Sequence, residues 1–195
     1  MRDEVRADAL LASLEEEHKG KLKVFLGAAP GVGKTYAMLQ AVREQAREGV
    51  DILIGVVETH GRQETLALLD KLAIQPRKLH HHRQQRLEEM DLDGLLERKP
   101  AIVVVDELAH TNAPGSRHEK RWQDVEELLG AGIDVYSTLN VQHLESLNDL
   151  VWQLTGVRVK ETLPDQVLLE ADSIVLIDLP PKELLGRLKE GKVYV

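Results

Sequence analysis

Gly27-Ala-Ala-Pro-Gly-Val-Gly-Lys-Thr35 lies between a β-type run, Lys21-Leu-Lys-Val-Phe-Leu26, and a helix-type run, Tyr36-Ala-Met-Leu-Gln-Ala-Val42. A strand, a glycine-rich bend and a helix opening on Lys-Thr bring successive backbone N–H groups and the positive end of a helix dipole to one point, as a phosphate requires. The stretch reads as a Walker A loop. Its eight-residue frame runs from Ala28 to Thr35, with Ala28 where the strict pattern has Gly and Gly27 one residue ahead. Gly31 and Gly33 supply the permissive backbone, Lys34 is placed to reach β- and γ-phosphates, and the Thr35 hydroxyl to ligate Mg²⁺. Ala29, Pro30, Val32 and Tyr36 complete the segment expected to line an ATP site.

Length and composition set the bounds. A chain of 195 residues, 43% hydrophobic and 30% charged, suggests one folded unit with a proper core. The expectation is a single P-loop nucleotide-binding domain over 1–195, with 1–20 as a helical extension and 21–195 as the core. A formal net charge of -8 argues against a dedicated nucleic-acid binder. The absence of Cys excludes disulfides, thiolate metal sites and cysteine nucleophiles, and is compatible with a reducing cytoplasm. No run approaches the roughly 18 apolar residues of a membrane span, and Met1-Arg-Asp-Glu-Val-Arg6 lacks a signal-peptide layout. A soluble chain, with no direct membrane insertion, is expected.

The second informative stretch is Ala101-Ile-Val-Val-Val-Asp-Glu107. It reads as a Walker B strand, with Asp106 at its carboxyl end holding Mg²⁺ opposite Thr35. Glu107 follows as the carboxylate that orients and polarises the water attacking the γ-phosphate. The loop from Leu108 ends in Arg117, His118, Lys120 and Arg121, which could contact phosphates, reach a neighbouring nucleotide as an arginine finger, or pair with Glu126 and Glu127. Trp122 is expected to pack in a core or interface.

Elsewhere the pattern predicts an amphipathic, packed helix over 5–18, with Val5, Ala9, Leu10 and Leu14 at helical spacing. A helix ends near Glu48 at Gly49; Asp51 to Val57 is a strand buried on both faces, and Glu58-Thr-His-Gly-Arg62 lies at its carboxyl end, where open α/β sheets bind ligands. Helices are expected over 62–72, 86–98, 119–129 and 143–154, strands over 133–139, 157–161 and 173–178, and a last helix over 182–189 after Pro180-Pro181. Leu163-Pro-Asp165 reads as a turn. Thr138, Asn140 and Gln142 are either γ-phosphate sensors or caps of the next helix. His80, His81 and His82 read as solvated surface, because neighbouring residues on an element point to different faces.

Alternating strands and helices imply a three-layer α/β P-loop sandwich with a mainly parallel sheet. A catalytic Glu107 favours the RecA-like order, with the 133–139 strand between the Walker A and Walker B strands. Spacing alone does not fix that order.

The stretches 103–129 and 132–149, with G-A-A-P-G-V-G-K-T-Y-A-M-L (27–39), V-V-E-T-H-G-R (56–62), I-D-L-P-P (177–181) and G-K-V-Y (191–194), resemble the N-terminal cytoplasmic domain of the KdpD sensor histidine kinase family. The resemblance spans essentially the whole chain. It implies ATP binding through Gly31, Gly33, Lys34, Thr35, Asp106 and Glu107. The implied role is to tune the kinase/phosphatase balance of a distant transmitter domain, and so expression of a potassium uptake system. The implied partners are the remaining domains of a membrane-bound sensor and, through them, a response regulator; the implied location is cytosolic. The sequence holds no membrane span, universal-stress-like domain, phosphoacceptor module or kinase ATP lid, so it is expected to be either a piece of a longer sensor or a short stand-alone homologue. None of its eight histidines is nominated as a phosphoacceptor. The alternative is a stand-alone P-loop ATPase or small-molecule transferase, such as a nucleoside kinase or corrinoid adenosyltransferase.

Overall fold

The sheet is centred on β-type runs at 22–27, 52–56 and 102–105 that are buried almost throughout, because such apolar segments cannot leave a face in water. The structure, a computed structural model, describes residues 2–28 and 33–177, with side chains from residue 5. In chain order the elements are α1 (Arg2–His18), β1 (Leu22–Gly27), α2 (Lys34–Arg47), β2 (Ile52–Val56), α3 (Gln63–Leu68), β3 (Ala73–Ile74), β4 (Lys78–His82), β5 (Gln85–Glu89) and α4 (Leu92–Arg98). There follow β6 (Ile102–Val105), α5 (Arg121–Gly130), β7 (Asp134–Asn140), a 3₁₀ turn (Val141–His143), α6 (Glu145–Thr155), α7 (Asp165–Leu169) and β8 (Ser173–Ile177).

The main sheet has the order β3-β2-β6-β7-β1-β8, and every pairing in it is parallel. β7 therefore lies between β1 and β6, the RecA-like order. The register sets Gly27 of β1 against Asn140 of β7 and Val105 of β6 against Ser137, so the carboxyl ends of the three strands lie along one edge. Crossover helices cover both faces. On one face Met38, Leu39 and Val42 of α2 pack on Phe25, Ile52, Ile54 and Val104; on the other, Leu95 of α4, Val125 and Leu128 of α5 and Leu147 of α6 pack on Leu26, Val103, Val105 and Val135. Trp122 lies half-buried against this second core.

Four expectations are corrected. α1 forms, but every side chain from 5 to 18 is exposed, Val5 at 66% and Leu10 at 65%, so its apolar residues pack on nothing among the described residues. Residues 85–89, expected in a helix over 86–98, instead form β5, antiparallel to β4; only α4 remains of that helix. The two strands join through Arg83 and Gln84, both at positive φ (46° and 65°). A two-residue hairpin connection needs that conformation, and it was hidden because neither residue is Gly or Asn. Residues 157–161 form no strand: Leu163 makes a lone bridge to Leu144, and the Asn148 side chain occupies the Val159 backbone by accepting from its N–H at 2.9 Å. Past Leu163 the expected turn continues into α7, with Pro164 at its N-cap, where a missing N–H costs nothing. The expected helix over 182–189 lies outside the described residues, as do Ala29, Pro30, Gly31 and Val32.

Candidate functional site

A cleft of about 510 Å³ opens at the carboxyl edge of β1, β2, β6 and β7. Its placement follows from the topology: the β1–α2, β2–α3 and β6–α5 connections all emerge there, at the edge where parallel sheets receive ligands. Gly33, at φ 92°, delivers the chain into α2, and Lys34 and Thr35 form that helix's first turn.

Thr35 and Asp106 meet. The Thr35 hydroxyl donates toward the Asp106 carboxylate, at 3.3 Å from Oδ1 and 3.2 Å from Oδ2. Asp106 is 1% exposed and held from three further sides: the Glu58 N–H donates to Oδ2 at 3.0 Å, the Glu107 N–H to Oδ1 at 3.2 Å, and the Thr138 hydroxyl donates to Oδ1. A carboxylate so fixed makes a rigid oxygen ligand beside a hydroxyl, a donor set that suits a hard divalent cation completed by phosphate and water oxygens. Among the described residues no group of three or more His, Cys, Asp or Glu could hold a metal by protein ligands alone.

Glu107 stands next to it at φ 56°, a left-handed conformation rare for a side chain with a Cβ and one that clusters at functional sites. Its N–H donates to Thr138 Oγ1 at 2.9 Å, and the N–H of Leu108 to the Thr138 carbonyl at 2.9 Å, which locks the turn. The Glu107 carboxylate faces the cleft with His60 Nε2 at 3.6 Å. Burial pushes its carboxyl above the ordinary range, and Asp106 and Glu58 push the same way, against Arg121 and His60. Because 45% of the side chain is open to solvent, screening keeps the effect modest. Lys34 lies at the cleft floor, 9% exposed; burial lowers its pKa, Asp106 and Glu107 raise it, and Arg62 lowers it.

The other nominated residues divide. Tyr36 and Asn140 line the cleft; so does Gln142, and the Asn140 side-chain oxygen is buried without a hydrogen-bond partner among the described residues. Ala28 is exposed at the end of β1. Thr138 does not face a ligand freely, because its hydroxyl is spent on Asp106 and Glu107. Arg117 does not line the cleft: it pairs with Asp93 and, at 2.6 Å, with Glu127. Arg121 is 2% exposed behind the strand tip, donating to the Asp106 main-chain oxygen at 3.0 Å and lying 3.4 Å from Glu89. Lys120 donates to Ala109 O and Thr111 Oγ1.

Three participants escaped the sequence reading. Glu89, at the end of β5, accepts from the Ala113 N–H at 2.9 Å and lies 3.0 Å from His110 Nε2, tying the hairpin to the cleft wall. His143 and Glu161 also line the cleft, with His143 Nδ1 2.8 Å from the Glu161 carbonyl. Nothing local in the sequence marks them, since their partners lie 18 to 24 residues away.

A parallel sheet in RecA-like order, covered on both faces, with a glycine-flanked helix start and an acidic strand tip at one edge, defines an α/β protein of the P-loop NTPase class. The chain belongs to the KdpD family: the family model described as "Osmosensitive K+ channel His kinase sensor domain" matches residues 18–195. Sensor protein KdpD of Escherichia coli (strain K12) is 58% identical over 188 residues, covering 96% of this chain and 21% of that protein. A KdpD relative from Synechocystis sp. is 51% identical over 183 residues, 94% of this chain and 50% of that protein. The chain thus spans about a fifth of the first relative and half of the second. Among solved structures, the genome packaging NTPase B204 from Sulfolobus turreted icosahedral virus 2, in complex with AMP, aligns at TM-score 0.45 and 14% identity, over 87% of this chain and 81% of that one. No helix among the described residues is long and apolar enough to cross a membrane.

Proposed function

We propose that this chain is a regulatory ATP-binding domain of a potassium- and turgor-responsive sensor histidine kinase. Mg·ATP is held by the 28–36 segment, with Lys34 on the β- and γ-phosphates and Thr35 and Asp106 at the metal. The carrying observation is the 3.2 Å approach of the Thr35 hydroxyl to the Asp106 carboxylate, which puts both expected metal ligands at one point. Family membership supports the signalling role: nucleotide state would tune the kinase/phosphatase balance of a transmitter domain elsewhere in a longer, membrane-bound protein, and through it a response regulator. In that protein this domain is cytosolic. The group the site would take supplies electrophilic charge at the phosphates; the chain's own residues orient it. Glu107 is placed to orient a water, so slow hydrolysis is part of the reading.

Titration calorimetry with Mg·ATP tests this. The chain should bind, and Lys34→Ala should bind at least about tenfold more weakly, as expected for loss of a charge-assisted phosphate contact. No binding by the unsubstituted chain rejects the proposal. A transferase reading has one observation of its own: the lining of the cleft of about 510 Å³ also includes Gln142, His143 and Glu161, polar groups the nucleotide reading does not use. ATP turnover that appears only with one added acceptor would favour it.

A further inference from the structure

We propose that Arg62 reads the γ-phosphate: a cation supplied from the chain's own β2–α3 turn that distinguishes a nucleoside triphosphate from a diphosphate. The inference rests on the nucleotide reading above and assigns a role to a residue that reading does not use.

Among the described residues the cleft is short of positive charge. Among the described residues its lining has two cations, Lys34 and Arg62, against four carboxylates, Glu58, Asp106, Glu107 and Glu161, a formal balance of -2 with the histidines neutral. A metal ion at Thr35 and Asp106 offsets part of this. The outer oxygens of a terminal phosphoryl group bound there would still share the cleft with Glu107 and Glu58, and like charge at close range is unfavourable without a further donor.

Other arginines near this edge are already committed. Arg77 pairs with Glu58 at 3.1 Å and donates to the Val57 carbonyl, and Arg121 and Arg117 are spent as described. Arg62 differs. It lines the cleft and is exposed, and its guanidinium makes no hydrogen bond or ion pair with any described residue. It is also close enough to Lys34 for the two charges to repel, which would be relieved by an anion placed between them.

The backbone fixes where that guanidinium starts. Glu58 donates its N–H to the Asp106 carboxylate at 3.0 Å, and the Arg62 N–H closes the turn on the Thr59 carbonyl at 3.0 Å, with His60 and Gly61 both left-handed between them. The Arg62 backbone is therefore tethered to the metal-side carboxylate, while its long side chain is uncommitted. A planar guanidinium matches two phosphate oxygens at once, and it engages only when the third phosphate is present.

The test is equilibrium binding of Mg·ATP and Mg·ADP to the unsubstituted chain, Arg62→Ala and Arg62→Lys. Arg62→Ala should weaken Mg·ATP about ten- to a hundredfold while leaving Mg·ADP within about twofold, and Arg62→Lys should recover part of the loss. The side chain is exposed, so both variants should melt as the parent does. Unchanged Mg·ATP binding by Arg62→Ala, or equal loss of both nucleotides, overturns the proposal while leaving the nucleotide reading intact. Failure of the unsubstituted chain to bind either nucleotide overturns both.

Discussion

The Arg121 guanidinium lies 3.4 Å from the Glu89 carboxylate, in a site where both side chains are more than nine-tenths hidden from solvent, and its other arm reaches the Asp106 main-chain oxygen. One buried ion pair thus braces the strand tip that carries the acidic side of the cleft. Burial drives the Arg121 pKa down, opposed first by Glu89. Truncating one partner strands the other charge in a site that cannot hydrate it, so Glu89→Ala should cost about 3–5 kcal/mol in urea denaturation. Burial alone would raise the Glu89 pKa, but the hydrogen bond and charge of His110, the Ala113 N–H and Arg121 together lower it. Its contribution is therefore complete above the ordinary value of 4.5 and lost as pH falls through the lowered one. The stability gap to Glu89→Gln should close on acidification; a gap independent of pH would refute the pairing.

Thr138 makes a second, neutral brace. Its hydroxyl hydrogen goes to Asp106 and its oxygen accepts the Glu107 N–H, in a position 2% exposed. Thr138→Val keeps the shape and removes both bonds, leaving the Glu107 N–H only its longer contact to Asp106 and the buried Asp106 carboxylate one donor fewer. We expect a loss of about 1–3 kcal/mol in stability. Mg·ATP affinity should fall at least about tenfold, as when an outer partner of a metal ligand is removed. Affinity unchanged in a destabilised variant would show that Thr138 supports the fold alone.

Five of the sheet's six strands were legible, β2, β6 and β8 because they are nearly continuous apolar runs, with Asp106 marking the carboxyl edge; the two-residue, exposed β3 was not. The order β6-β7-β1 followed from reading Glu107 as a water-orienting residue, not from spacing. The hairpin was illegible, since Arg83-Gln84 carries no turn chemistry and Glu88-Glu89 reads as helix surface. Cations were the hardest to place. Nothing local distinguishes Arg121, buried under the strand tip, from Arg62, exposed on the cleft rim, because each one's direction is set by elements distant in sequence.

α1 makes that lesson measurable. Its apolar residues have helical spacing, yet no side chain from 5 to 18 is covered. Deleting residues 1–17 should shift the denaturation free energy of the chain by less than about 0.5 kcal/mol, the range of surface changes. A loss of several kcal/mol would mean that the helix packs on the body in solution.

Glu107 carries a pH signature. With burial first, then Asp106 and Glu58, holding its carboxyl above 4.5, the folded state binds a proton more tightly than the unfolded chain does. Ionising it therefore subtracts stability as pH rises from 4.5 through the raised value. Glu107→Gln should melt higher than the parent at neutral pH, with the advantage shrinking as pH falls toward 4.5, and should bind Mg·ATP while losing hydrolysis. Undiminished hydrolysis would remove Glu107 from the water-orienting role.

Two glycines separate a steric requirement from a helix preference. An ideal Cβ on Gly20 would lie 1.9 Å from the Ile133 carbonyl oxygen and 2.4 Å from its carbon, backbone atoms at the mouth of β7 that cannot swing aside. The Gly20 N–H also donates to the Leu129 carbonyl at 2.8 Å, so the chain enters β1 pressed against the α5–β7 corner. Gly20→Ala should therefore cost at least about 3 kcal/mol, in the class of overpacked cores. Gly130, the last residue of α5, meets nothing among the described residues within 4 Å of an added Cβ. There alanine only reduces the freedom of the unfolded chain and suits the helix, and Gly130→Ala should gain about 0.5–1 kcal/mol. Urea denaturation of both variants decides it: a tolerated Gly20→Ala would mean that β1 and β7 do not start as close together as this sheet requires.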